Sequence, residues 1–290
     1  MINHDNVKAS VIMMATEADE EYLQVLLSVL ADYSWVRDVT VLLTDYKPNG
    51  PMLSEPAPVS ERDYDNVRFF GANCYGGWGS AESTRAASLA QGGFNEIRAR
   101  NDLIALGEEQ LVEGDYLLSL DPDEVILPET HDALIAASQQ GARQIFFSTF
   151  CLLSRDSHAF IEPHGGFLAN GNTLYDPHIR IFRKGFSHIS NPGINFGPND
   201  NNTVHCTLTP PLDPFDGKDT YVTESILHLH LPYVYGPKCV FRPLAIWVKD
   251  FPIPGGEGER RDAFDEGLLP QQVRDAILAQ EQKRDLNNEY

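Results

Sequence analysis

Short apolar runs recur through the first half of the chain, and each gives way to a polar or helix-patterned stretch. Val11-Ile12-Met13-Met14-Ala15 and Val39-Thr40-Val41-Leu42-Leu43 are runs of the kind that strands buried on both faces use. Between them Leu23, Leu26, Leu27 and Leu30 fall at helical spacing behind Thr16 and four acidic residues, a pattern suited to a helix start. Val67-Arg68-Phe69-Phe70 predicts a third strand and Tyr116-Leu117-Leu118-Ser119-Leu120 a fourth, with a helical stretch holding Ile97, Asn101, Ile104 and Ala105 before the latter. Strands alternating with helices predict an α/β fold with a mostly parallel sheet and right-handed crossovers.

The pattern changes past residue 144. A Phe-rich strand over 144–153 precedes a region dense in Gly, Pro, Asn and His, in which only short strands such as Ile179-Arg180-Ile181-Phe182 stand out. A further strand is expected over 225–230, and Val273, Ile277 and Leu278 predict an amphipathic helix in an acidic tail. The expected organisation is an α/β half over 1–150, a β- and loop-rich half of the same domain over 151–250, and a tail over 251–290.

Composition narrows the class. The 290 residues carry 22 Lys+Arg against 42 Asp+Glu, a formal net charge of −20, which opposes generic adhesion to nucleic acid or anionic lipid. Cys74, Cys151, Cys206 and Cys239 are scattered without a C-x-x-C pair, a usage that fits free thiols in a reducing compartment. The start of the chain lacks a signal-peptide pattern, and no apolar run approaches the ~18 residues of a membrane span. A cytoplasmic protein with no membrane partner is expected.

The strongest chemical signal is Asp121-Pro122-Asp123, two carboxylates one residue apart where the fourth strand ends. The carboxyl edge of an α/β sheet is where ligands bind, and hard oxygen donors at that spacing suit Mg²⁺ or Mn²⁺ shared with substrate phosphates. The structural alternative is that Asp121 or Asp123 caps the next helix. His228 and His230, two apart on a strand, share a face and are candidate further ligands, His228 preferred. Imidazole favours Mn²⁺ over Mg²⁺. Glu124, Glu162, Asp176, Asp213 and Asp216 are candidate bases, with Asp176, just before the Arg180 strand, selected. Arg180, Arg183 and Lys184 are possible phosphate contacts or simply solvated charges. Gly76-Gly77-Trp78-Gly79 and His164-Gly165-Gly166-Phe167 fit either binding loops or plain turns.

The stretch Phe94-Asn95-Glu96-Ile97-Arg98-Ala99-Arg100-Asn101, followed by the strand ending Asp121-Pro122-Asp123-Glu124, resembles the family 2 glycosyltransferases of the GT-A fold. The similarity lies in the branch with an Arg-Asn pair ahead of D-x-D-E, and it covers roughly residues 8–130. His178-Ile179-Arg180-Ile181-Phe182-Arg183 is similar to that branch's R-x-F-R strand. The resemblance implies an enzyme that moves a sugar, by an inverting transfer, from a nucleotide-sugar donor (a UDP-sugar first) to an acceptor hydroxyl. It implies Asp121 and Asp123 at metal and ribose, Asp45 and Thr16 lining the donor cleft, and Arg100 and Asn101 beneath the donor. It also implies a C-terminal His on the metal. Thr44-Asp45-Tyr46-Lys47-Pro48 departs from the family's acidic-Gly-Ser turn. The acceptor stays open among a glycan, a lipid-linked sugar, a protein side chain and a hydroxymethylated DNA base. The rival classes are a nucleotidyltransferase on a similar scaffold and a non-catalytic sugar-binding module.

Overall fold

The computed structural model describes residues 6–15, 19–44, 66–71, 96–154, 157–160, 167–169, 172–174, 178–190, 206–209, 219–231, 261–263 and 265–288. In chain order the strands are β1 (Ala9–Ala15), β2 (Val36–Leu43), β3 (Val67–Gly71), β4 (Tyr116–Leu120), β5 (Glu124–Ile126), β6 (Gln144–Ser154), β7 (Ser157–Phe160), β8 (Phe167–Ala169), β9 (Asn172–Leu174), β10 (His178–Phe182), β11 (Ser187–Ser190), β12 (Cys206–Thr209), β13 (Thr220–His230) and β14 (Arg261–Ala263). The helices are α1 (Glu20–Ala31), α2 (Glu96–Glu108), α3 (Thr130–Gln139) and α4 (Gln271–Asn288). The fold is mixed α/β, and its strands divide between two compact units: Met1–Glu20, Trp35–Asp121 and Arg180–Asp213 in one, Glu21–Ser34, Pro122–Ile179 and Pro214–Tyr290 in the other. The units interleave along the chain.

In the first unit β3, β2, β1 and β4 lie side by side and all parallel, with β10 antiparallel to β4. Every residue of β1 and β4 is buried, as the uninterrupted apolar runs require of strands covered on both faces. α2 packs on β1, β2 and β4. Its buried stripe is Ala99, Leu103, Ile104 and Gly107, with Ile97 and Asn101 half-buried and Ala105 exposed. Gly107 sets that rotation: a Cβ there would stand 2.4 Å from Ile12 Cγ2 and 3.0 Å from Leu117 Cδ2, so the helix rides close on the sheet.

In the second unit β13 runs parallel to β6 and antiparallel to the short β5. Strand alternation sorts the residues of this ladder to two faces. Val125, Leu127, Leu229 and Leu231 turn to a core with Tyr22 and Val29 of α1 and Leu269, Val273 and Ile277 of the tail. The expected tail helix is present as α4, with Val273 and Ile277 fully buried and Leu278 36% exposed. The other face of the ladder carries Glu124, Ile126, His228 and His230.

Candidate functional site

In the first unit the buried run of β4 delivers Asp121 at its carboxyl end, its side chain 28% exposed. Two guanidinium groups meet that carboxylate. Arg100 of α2 places Nη2 3.3 Å from Oδ1 and 3.5 Å from Oδ2, and Arg180 of β10 places Nη2 3.8 Å from Oδ2. Both arginines are largely enclosed, at 11% and 15% side-chain exposure, so these charge-assisted contacts are screened far less than surface pairs. Arg100 borders the buried stripe of α2, which directs it toward the sheet, and Asn101 follows it half-buried. Arg183, also a candidate phosphate contact, donates from Nη2 to the Tyr116 hydroxyl at 3.2 Å with its guanidinium 4.5 Å above the ring centroid. Burial raises the Tyr116 phenol above its ordinary pKa, and the Arg183 hydrogen bond and charge pull the other way. Lys184 is exposed.

In the second unit Asp123 and Glu124 each face an imidazole of β13. His230 Nε2 lies 3.6 Å from Asp123 Oδ2, with the His230 side chain 25% exposed and that of Asp123 8%. His228 Nε2 lies 3.3 Å from Glu124 Oε2, and its Nδ1 lies 3.1 Å from Thr149 Oγ1. This second pair is enclosed completely, His228 at 0% and Glu124 at 2% exposure. The register explains the pairing. His228 stands opposite Ile126 and Thr149, and His230 opposite Glu124, so the Glu124 carboxylate reaches diagonally to His228. Asp123 stands one residue ahead of β5 and turns to His230 instead. The Asp123 carbonyl accepts from Leu231 N at 2.8 Å, which ties the turn to the end of β13. Tyr33 Oη donates to the Ile126 carbonyl at 3.1 Å and holds the other end of β5. Burial first, then the charges of Glu129 and Asp32, push the Tyr33 phenol well above its usual range, so it stays a donor.

Neither Asp121 nor Asp123 caps a helix: β5 intervenes, and α3 begins after Glu129, which makes no side-chain cap. Glu124 faces His228 in the interior. Thr16, Asp45, Asp176, Glu162, Asp213 and Asp216 lie outside the described residues, as do both glycine-rich loops. Thr149 was not a candidate in the sequence. Its signal is tertiary, since it stands 79 positions from His228 and meets it only through the parallel pairing of β6 with β13. Among the described residues no three His, Cys, Asp or Glu side chains converge in a metal-holding group.

No family model matches the chain, and no curated protein matches it. Among solved structures, S. aureus TarS is similar at 14% identity and a TM-score of 0.35, over 59% of this chain and 28% of TarS. A structure of TarS 1-349 gives 13% and 0.31, over 59% and 47%. A 4-diphosphocytidyl-2C-methyl-D-erythritol synthase gives 16% and 0.28, over 61% and 74%. The chain thus spans less than half the length of the first two. Likeness this distant carries no argument about what the chain does.

Proposed function

We propose that the protein is a metal-dependent glycosyltransferase that takes its sugar from a nucleotide-sugar donor. The reading is supported by one observation above the rest: Asp121, at the carboxyl end of a fully buried parallel strand, is followed within two residues by a second acid, Asp123, that faces a partly exposed imidazole. The donor set suits a divalent cation. Asp123 Oδ2 and His230 Nε2, 3.6 Å apart, can both reach one ion at bonds of about 2.1 Å. A carboxylate with an imidazole favours Mn²⁺ over Mg²⁺. A protein set this small leaves coordination positions to water and phosphate oxygens, the usual arrangement for such ions. Bound there, the ion would neutralise charge on a departing diphosphate, a contribution of several kcal/mol.

His230 takes the ligand role in this reading, and His228 does not, because both of its ring nitrogens already face Glu124 and Thr149 in the interior. Asp121 acts within its own unit as the anchor that orients Arg100 and Arg180, whose N–H groups suit phosphate oxygens. Asp176 remains our assignment for the carboxylate that accepts the acceptor's hydroxyl proton. Thr16, Asp45 and Asn101 remain donor contacts, and a UDP-sugar the first donor to try.

A screen of nucleotide sugars for hydrolysis in Mn²⁺ tests the reading, with Asp123→Asn as control and nucleoside triphosphates as a second arm. One donor is expected to release its nucleoside diphosphate. The variant should lose at least about 100-fold, or ~2.7 kcal/mol of transition-state stabilisation. Turnover of no donor, or equal rates in parent and variant, overturns it, and turnover of triphosphates alone transfers the site to nucleotidyl chemistry.

A further inference from the structure

The interior pair beside the proposed ion site has no part in the chemistry above, yet it is costly to keep. Glu124 and His228 are buried among apolar neighbours, with Phe147 meeting the imidazole edge-on at a centroid distance of 5.9 Å and Ile126 opposite it in register. Burying a carboxylate and an imidazole together commonly gains nothing over well-packed hydrophobic side chains of the same size. Stability therefore does not account for them.

Their connections suggest what does. Thr149 Oγ1 lies within hydrogen-bond distance of His228 Nδ1, at 3.1 Å, and His228 Nε2 stands 3.3 Å from Glu124 Oε2, at ion-pair distance. The chain Thr149–His228–Glu124 thus crosses β6, β13 and β5 and orients the side chain that directly follows Asp123. The Asp123 carbonyl is fixed to the same β13 by Leu231 N. The strand that carries His230 therefore holds residues 123 and 124 at two points, one backbone and one side chain.

We infer that Thr149, His228 and Glu124 form a buried positioning chain that sets the spacing of Asp123 against His230 and so tunes the affinity of that pair for a divalent cation. The inference rests on the metal reading above. His228 and Thr149 are positioning residues, which act on the ion's ligands through Glu124. Partners that orient metal ligands typically alter affinity by about 10–100-fold when removed.

Thr149→Val, which keeps the shape and deletes the hydroxyl, is the direct test. Mn²⁺ affinity is read by electron paramagnetic resonance of free ion, with circular dichroism and thermal melting as controls of folding. Thr149→Val should bind Mn²⁺ about 10-fold more weakly while melting cooperatively, and Thr149→Ser should return within about 2-fold of the parent. His228→Gln, able to donate and accept but shorter, should fall between them. If Thr149→Val and His228→Gln fold and bind Mn²⁺ as the parent does, the positioning role is overturned and the metal reading survives. If Thr149→Ser binds no better than Thr149→Val, the hydroxyl is not the operative group and the inference fails. If the parent binds no Mn²⁺ at all, the metal reading falls and takes the inference with it.

Discussion

Asp38 shows how a single side chain records the balance between burial and pairing. It sits half-buried on β2, where Ser10 Oγ donates to Oδ2 at 2.9 Å, and among the described residues Oδ1 is buried without a hydrogen-bond partner. Burial is the largest influence and raises its pKa, while the Ser10 hydrogen bond and the charges of Arg68 and Arg37 work in the opposite direction. A folded pKa above the unfolded value means that folding favours the protonated acid. The stability this gives is fully present below the unfolded value of about 3.9 and is lost as pH rises through the higher folded value. Asp38→Asn should therefore gain on the parent as pH rises out of the acid range. Melting temperatures of both proteins between about pH 3 and about pH 7 check this, and a constant difference across that interval would contradict it. The two acid–imidazole pairs make the same point at the site. Asp123 with His230 keeps contact with solvent, and Glu124 with His228 does not, although the four residues come from two short sequence segments.

At the scale of elements, helix placement on the sheet decides which polar side chains reach the end of β4. Arg100 meets Asp121 because the buried stripe of α2 passes through Ala99, Leu103 and Gly107, and the close seat at Gly107 fixes that stripe. Gly107→Ala would normally favour a helix by up to ~1 kcal/mol. Here the added methyl collides with the buried Ile12, whose Cγ2 belongs to a stiff β-branched side chain with little room to yield. We expect net destabilisation of about 1–3 kcal/mol, read from urea unfolding, and a gain in stability would show that α2 is free to slide. The strands were legible wherever an apolar run was long enough to read, as in β1, β2, β4, β6 and β13. β5 was not legible: its three residues, with an acid first, give no period to count. It nevertheless carries Glu124 and pairs with the strand of both histidines.

The whole chain divides into two units that trade segments, and the core of the second is assembled from distant parts: α1, β5, β13 and the tail. Ile277 completes that core from 46 positions beyond Leu231, and Gln272 Nε2 donates to Asp32 Oδ2 at 2.6 Å across 240 positions. Ile277→Ala should cost about 2–4 kcal/mol by cavity formation, while Leu278→Ala, on the exposed side, should stay within ~0.5 kcal/mol. Chemical denaturation of the two variants distinguishes a docked tail from a merely helical one, which would lose little from either.

The sequence alone determined the α/β character, the strand that ends at Asp121, the helix in the tail and the shared face of His228 and His230. Each follows from local periodicity or from the fixed alternation of a strand, and none depends on distant neighbours. Only the tertiary structure decided which imidazole meets which acid, that Arg180 joins Arg100 on Asp121, and that Thr149 stands against His228. Arg100 depends on how α2 seats on the sheet, and the other contacts depend on strand register, a property of segments 59 to 107 positions apart, in which a slip of one residue would turn the strand side chains to the opposite face.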